Sequence, residues 1–317
     1  MYNCYKMKIR GSVSLKNHTT FKIGGKARYF LEAKTQEDLI KSINWANERK
    51  VKYFILGWGS NVLFSDKGFN GLVIKNSIKS VLKTNNKIFA SSGLLVSELV
   101  DFYARNGFSG LEWAGGLPGT LGGAIYGNAG SFGEEIKDLV IEVASLMMDK
   151  KGGVKVIKRD NEKCRFGYRV SVFKGCSEVI LGAWLKYAFG DKREIKRKVN
   201  HHISYRKKRQ PLEYPSAGSA FKNIPLAKIN GSARVKFKSA IKTDPFPVIP
   251  AAAVINDLGL KGKTIGGAQI SEKHPNFIIN IGNASAKDVK KLAEFIKKQA
   301  YKNFRVKLEE EIKIVEY

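Results

Sequence analysis

Five segments of this chain carry residue types that could act together chemically. The densest is Gly115-Gly-Leu-Pro-Gly-Thr-Leu-Gly-Gly123, continued by Asn128-Ala-Gly-Ser-Phe-Gly133. Glycine loses more conformational entropy on folding than any other residue. A run this rich is kept where backbone must approach a ligand, and successive exposed N–H groups form an anion nest suited to a pyrophosphate. The register is that of neither common phosphate loop. No βαβ unit with G-x-G-x-x-G surrounds it, and the Gly-Lys-Ser/Thr of a P-loop is missing. A second loop, Leu56-Gly-Trp-Gly-Ser-Asn61, leaves an apolar run with two glycines, Gly57 and Gly59, and two hydrogen-bonding side chains, Ser60 and Asn61.

The third segment, Phe166-Gly-Tyr-Arg-Val-Ser-Val-Phe173, sets Arg169 in an aromatic, apolar frame. A guanidinium there pairs with a protein carboxylate or with an anionic ligand. The fourth, Ala217-Gly-Ser-Ala-Phe-Lys-Asn223, places Ser219 behind a glycine, as a turn residue or as a proton donor eased toward ionisation by Lys222. There is no G-x-S-x-G elbow and no histidine partner, which argues against a serine hydrolase. Near the C-terminus, Leu308-Glu-Glu-Glu-Ile312 either offsets charge or presents Glu309 and Glu311 on one face of a strand, with Glu310 on the other. His201-His202 falls in a basic stretch and reads as exposed, while His18 and His274 are isolated, so no metal site is expected. Cys4, Cys164 and Cys176 follow neither a disulfide nor a zinc spacing.

At 317 residues the chain is long for one core, and 43% hydrophobic content permits well-packed domains. No apolar run approaches the roughly 20 residues that span a bilayer, so no membrane insertion is expected. Met1–Arg10 lacks the apolar centre of a secretory signal, so a cytoplasmic location is expected. The formal charge of +28 invites a nucleic-acid reading, yet the lysines are scattered and aromatic-basic recognition motifs are missing. The one dense basic run, Arg193–Arg209, is either a solvated helix face or a collar for phosphate-bearing ligands.

The elements that must position these segments read as α+β in three compact units. Helical spacing predicts helices over 36–49 (behind a capping box at Thr35 and Asp38), 96–105 (stopped by Gly107), 192–211 and 286–302. Strands are expected at Tyr53–Leu56, Gly71–Lys75, Glu178–Phe189 and Val306–Val315. Val140–Met148 and Val154–Lys158 read as a hairpin around Asp149–Gly153, and Pro245, Pro247 and Pro250 mark a change of texture.

Taken in order, these segments resemble the UDP-N-acetylenolpyruvoylglucosamine reductases of bacterial peptidoglycan synthesis. The resemblance also rests on Asn17-His-Thr-Thr, Gly24-Gly25, Arg206 with Gln210-Pro211, Gly266-Gly-Ala-Gln-Ile-Ser271 and His274-Pro-Asn-Phe277, and runs from residue 17 to 312. Phe189 leads straight into the basic helix, which resembles the shorter subtype without a tyrosine-bearing loop. Lys222-Asn-Ile-Pro225 carries one residue, Ile224, more than the family pattern.

The resemblance implies a two-lobed vanillyl-alcohol-oxidase/PCMH-like FAD-binding domain and a C-terminal α+β substrate-binding domain. Residues 1–80 with 303–317 form one lobe, 81–200 the other, and 201–302 the substrate domain. It implies noncovalent FAD, NADPH as hydride donor, and a UDP-sugar whose enolpyruvyl group is reduced during cell-wall synthesis, in a monomer or weak oligomer. Arg169, Ser219 and Glu311 match the catalytic positions. Gly57, Gly59, Ser60, Asn61, Pro118, Gly119, Thr120, Gly122, Gly123, Asn128, Ala129 and Gly130 match cofactor-binding positions. Arg209, Lys222, Asn223 and Gln269 match substrate-binding positions. The rival on the same fold, a flavin-linked alcohol or hydroxy-acid oxidase, leaves Ser219, Gln269 and Glu311 together unexplained.

Overall fold

The computed structural model describes residues 7–148, 153–229, 231–244 and 246–317. Cys4, Pro245 and residues 149–152 of the expected hairpin turn lie outside them. The chain divides into two compact units. The first comprises the segment up to Val13, Ala27–Trp58 and Phe69–Ser204; the second comprises Ser14–Lys26, Gly59–Gly68 and Tyr205–Tyr317.

The first unit holds two larger sheets. In one, the strands run Arg10–Ser14, Lys26–Ala33, Phe69–Asn76, Tyr53–Leu56, the last three mutually parallel. The helix Gln36–Glu48 links the two outer strands of that parallel trio. It starts as its capping box requires: Thr35 Oγ1 accepts from the Asp38 N–H and Asp38 Oδ2 accepts from the Thr35 N–H, both at 3.0 Å. Its apolar stripe, Leu39, Ile43 and Ala46, packs on Leu31, Leu72 and Ile74.

The other sheet is antiparallel, in the order Val154–Asp160, Val140–Met148, Val179–Leu185, Ile88–Ser91, Val81–Lys83. The helix Val96–Asn106 covers it and ends on Gly107, whose φ of 71° gives the left-handed cap that glycine adopts freely. Around it a core gathers Leu99, Tyr103, Phe108, Trp113, Leu121, Ile125 and Phe173. The strand expected over Glu178–Phe189 is broken in two. After Leu185 the Lys186 N–H bonds to Leu139, Tyr187 stacks on Phe108 at 4.0 Å, and Ala188–Phe189 pairs with Phe108–Ser109 instead.

In the second unit the strands Ser216–Ser219, Phe277–Asn280, Ala268–Ile270 and Thr264–Ile265 form an antiparallel sheet, with the amphipathic helix Ala286–Phe304 sharing its core. The strand expected over Val306–Val315 is not continuous. Only Lys313–Val315 is a strand, parallel to Val62–Phe64. The preceding residues change partners too quickly for a ladder: Lys222 N–H bonds to Glu309 O, Glu311 N–H to Ala220 O, and Lys313 N–H to Asn61 O. Leu308 and Ile312 are buried nevertheless, so the alternation of faces survives without the regular strand. The long basic helix forms as Lys192–Arg209, but Arg206 is buried, so the run is not uniformly a solvated face. His202 is half-buried, its ring 4.2 Å from that of Phe132, against the expectation of exposure.

One buried carboxylate ties three strands of the antiparallel sheet. Glu178, its side chain 1% exposed, accepts from Ser145 at 2.6 Å and from both Nε and Nη2 of Arg159. The Arg159 hydrogen bonds, opposed by burial and reinforced by Ser145, hold its pKa below the ordinary glutamate value. A carboxylate with a depressed folded pKa adds stability above its unfolded pKa of about 4.3, and that stability is lost as pH falls through the lower folded value. Glu178→Gln should therefore cost about 3 kcal/mol at neutral pH, because it strands a partly buried Arg159. It should also flatten the acid limb of Tm against pH between about 5 and 3; an unchanged acid limb in thermal melts would contradict this role.

Candidate active site

The predicted residues fall in both units, and each unit brings its own group together. In the first, the glycine stretch is largely explained by close packing. An added Cβ on Gly57 would lie 2.5 Å from Thr120 Oγ1, one on Gly122 would lie 2.8 Å from Ser92 Cβ, and one on Gly115 would lie 2.6 Å from the Val199 carbonyl. The helix Leu121–Gly127 begins on Thr120, whose hydroxyl accepts from the Gly123 N–H at 3.3 Å. Much of the expected nest is therefore spent internally: Leu121 N–H bonds to Leu94 O, Gly122 N–H to Ser92 O, and Ala129 N–H to Ala124 O. Among the described residues, the N–H groups of Gly116 and Gly119 find no acceptor in the protein, and both residues have positive φ. Pro118 beside them is exposed.

Two glycines have no intramolecular reason to be glycine. A Cβ on Gly123 would meet only Thr120 Oγ1, at 3.6 Å, and one on Gly127 would meet nothing within 4 Å; neither has a positive φ. They stand four residues apart, on one helix face. The result is a smooth strip of backbone beside two free N–H donors, a surface that fits a flat, phosphate-bearing cofactor such as a flavin dinucleotide. Gly127 was not singled out from the sequence, because only the packing around the helix shows that its missing side chain leaves open space.

At the far end of the same helix Asn128 takes a left-handed φ of 44° and is fully buried. Its Nδ2 donates to Gly167 O at 2.9 Å and its Oδ1 accepts from Lys137 N–H at 3.3 Å. Its side chain thus anchors the loop that carries Arg169. That loop is a tight turn in which Gly167 and Val170 exchange two backbone hydrogen bonds. Arg169 occupies its third position with φ of 57°, where glycine or asparagine is the usual residue. The guanidinium donates to Gly130 O at 3.2 Å and lies 5.0 Å from the centre of the Tyr168 ring.

The second unit gathers Asn61, Ser219 and Glu311. Asn61 Nδ2 donates to Glu311 O at 3.1 Å, and Asn61 O accepts from Lys313 N–H at 3.0 Å. From the other side Ala220 O accepts from Glu311 N–H at 2.9 Å, so the backbone of Glu311 is fixed next to Ser219. Gly218, at φ of 75°, lies in the irregularity between Ser216 and Ser219, where one extra residue on this strand shifts the register before Ser219 pairs with Phe277. Gly59 (φ 73°) leaves no room for a side chain, since a Cβ would lie 2.5 Å from His18 O. Ser60, next in that loop, is half-buried.

Lys222 does not stand free to act on Ser219: its Nζ pairs with Glu309 at 3.0 Å. The additional residue Ile224 is absorbed by pairing with Ile249 and entering the core, while Asn223 Oδ1 accepts from Ala251 N–H at 3.3 Å. Gln269 donates to Gly262 O and Thr264 Oγ1 at 3.3 and 3.2 Å. Arg209 stacks over Tyr205 at 5.3 Å. Burial, and then the charges of Lys242, Lys261 and Arg209, hold the His274 pKa below the ordinary imidazole value. These cations make a positive field that the sequence could not show, because they come from segments far apart in the chain. Among the described residues there is no cluster of three or more His, Cys, Asp or Glu able to hold a metal, and no helix is long and apolar enough to cross a membrane.

Residues 27–156 match the family described as FAD binding domain, and residues 210–315 match UDP-N-acetylenolpyruvoylglucosamine reductase, C-terminal domain. A UDP-N-acetylenolpyruvoylglucosamine reductase of Caldanaerobacter subterraneus subsp. tengcongensis is 39% identical, over 95% of this chain and 91% of the relative. The chain belongs to the UDP-N-acetylenolpyruvoylglucosamine reductase family. The enzyme of that name from Caldicellulosiruptor bescii is 41% identical over 95% of this chain and 88% of its own. The crystal structure of UDP-N-acetylenolpyruvylglucosamine reductase from Thermus caldophilus superposes with a TM-score of 0.75 at 31% identity, covering 98% of this chain and 99% of the other. The α+β architecture, an FAD-binding domain followed by the family's C-terminal domain, is thereby established.

The strain at Arg169 can be separated from its side-chain contacts. Arg169→Ala and Arg169→Gly both remove the guanidinium, but only glycine adopts the left-handed backbone freely. Chemical denaturation should find the glycine variant more stable than the alanine variant by about 1 kcal/mol. Equal stabilities would show that the turn relaxes and stores no strain.

Proposed function

We propose that the chain reduces the enolpyruvyl group of UDP-N-acetyl-3-O-(1-carboxyvinyl)-glucosamine to the lactyl ether of UDP-N-acetylmuramate, an oxidoreductase step on a CH–CH bond in peptidoglycan precursor synthesis, with noncovalently bound FAD and with NADPH as hydride donor. The observation that carries this reading is the backbone clamp that sets Glu311 beside Ser219, in a chain whose relatives of that name match it over nearly its full length. Bound flavin would supply the hydride, taken from NADPH in a first half-reaction and delivered to C3 of the enolpyruvyl group in a second. Gly116 and Gly119, through their N–H groups, and the open strip of Gly123 and Gly127 would hold it.

The protein's own residues then manage charge and protons. Hydride addition at C3 builds negative charge on C2 and its carboxylate, and Arg169 stabilises that charge. Ser219 donates its hydroxyl proton to C2, which completes the saturated ether. Glu311 orients or relays the proton that restores Ser219. Arg209, within the positive field it shares with Lys242 and Lys261, meets the diphosphate; Lys222, Asn223 and Gln269 contact the sugar nucleotide.

The purified protein should be yellow and should bleach anaerobically with NADPH. Addition of the enolpyruvyl UDP-sugar should then restore the oxidised spectrum. A flavin that NADPH reduces but this substrate fails to reoxidise would favour the oxidase-type alternative. Ser219→Ala should leave the NADPH half-reaction within about threefold of the wild type and slow the second by roughly 10²–10⁴, the usual worth of a positioned proton donor. Equal loss in both halves would remove the proton-donor role.

A further inference from the structure

We propose that a groove lined by the helix Ala286–Phe304 and the strand Lys313–Val315 docks an acidic segment of a partner protein. The groove has a volume of about 790 Å³, lies within the second unit and shares no residue with the candidate active site. Its apolar lining is Ile265, Ala286, Phe295 and Ile314. Its cationic lining includes Lys67, Lys287, Lys291 and Lys298, all exposed. The carboxylates of the groove are already engaged. Glu316 pairs with Lys290 at 2.5 Å and Glu294 pairs with Lys297. Asp66 accepts from the N–H groups of Ala286 and Lys287 at 2.7 and 3.0 Å. Among the described residues, no carboxylate lies within ion-pairing distance of the four exposed lysines. Cations without counter-charges around an apolar lining complement a segment that carries carboxylates and an apolar side chain.

The same groove is poorly suited to a phosphate group. A helix N-terminus attracts phosphate through its free N–H groups. Here those donors are spent, on Asp66 for Ala286 and Lys287 and on Ser285 for Asp288, and the carboxylate of Asp66 stands where a phosphate would bind. The lysines are instead spread along the helix. Lys287 and Lys298 are separated by roughly 16 Å at about 1.5 Å per residue. About five residues of extended chain cover that distance. Ile314 adds a main-chain donor and acceptor. The parallel pairing with Val62–Phe64 joins Lys313 N–H to Asn61 O and Val315 O to Ser65 N–H. The residue between them therefore turns its N–H and C=O to the other edge of the strand, where no strand pairs among the described residues. An unpaired edge of this kind accepts a peptide main chain.

The test uses the full chain and a fluorescein-labelled heptapeptide in which glutamate alternates with leucine, with binding read by fluorescence anisotropy. The triple variant Lys287→Ala, Lys291→Ala, Lys298→Ala should weaken binding about tenfold or more. A control variant, Lys52→Ala, Lys155→Ala, Lys196→Ala, removes the same charge from exposed positions of the first unit and should stay within about twofold of the wild type. Replacing the leucines of the peptide by serine should cost about tenfold, since the apolar lining then has nothing to cover. No measurable binding of the peptide, an equal loss in the two triple variants, or equal affinity for the leucine and serine peptides overturns the proposal. So does a decathymidylate oligonucleotide, or a vesicle of phosphatidylglycerol, that binds more tightly than the peptide and is weakened by the groove variant alone, because the groove would then belong to a phosphate-bearing partner.

Discussion

The arrangement of the second unit depends on the hydrogen bonds of Asn61. Its side chain and its carbonyl grip the backbone on both sides of Ile312, and Ala220 grips Glu311 from the opposite direction. A carboxylate on a segment with no ladder of its own would otherwise wander by more than the fraction of an ångström that proton transfer tolerates. The clamp explains why a loop read as cofactor-binding contains an asparagine rather than any small polar residue: it must donate from the amide side chain while its own backbone accepts. Asn61 and the backbone of Glu311 are therefore one mechanical object.

How far the sequence disclosed this depends on the range of the forces involved. Elements governed by local rules were legible: the capping box at Thr35, the glycine stop at Gly107 and the stripe Val289, Leu292, Ile296 need only neighbours within a few turns. The segment 306–312 alternates its faces without forming the ladder that alternation predicts. Its alternation is real, but its partners, Ala220, Lys222 and Asn61, come from two different places. The nest was half legible for the same reason. Which N–H groups remain for a ligand depends on carbonyls of Ser92 and Leu94, and no local pattern announces those.

The candidate site shows a similar division. Arg169, Ser219 and Glu311 stand out by family order, and the structure adds a local setting for each: a positive-φ turn, a strand residue just after a register shift and a clamped backbone. The role first given to Lys222, easing the ionisation of Ser219, is weakened by its ion pair with Glu309. Gly127 and the field around His274 became visible only in three dimensions. The high net charge remains mostly a property of scattered surface lysines, while the buried cation Arg206 is the exception within the basic helix.

The interleaving of the two units along the chain has a consequence for biosynthesis. The short apolar strand Val62–Phe64 pairs in parallel with Lys313–Val315, and Asn61 awaits an acceptor 250 residues later. A ribosome emits the loop long before it emits its partner. Until then an unpaired edge is open to wrong neighbours, and loop closure over such a span is slow. The second unit must therefore complete itself after most of the chain has been released. The site that resides there is a late product of folding, vulnerable to any truncation that removes its last strand.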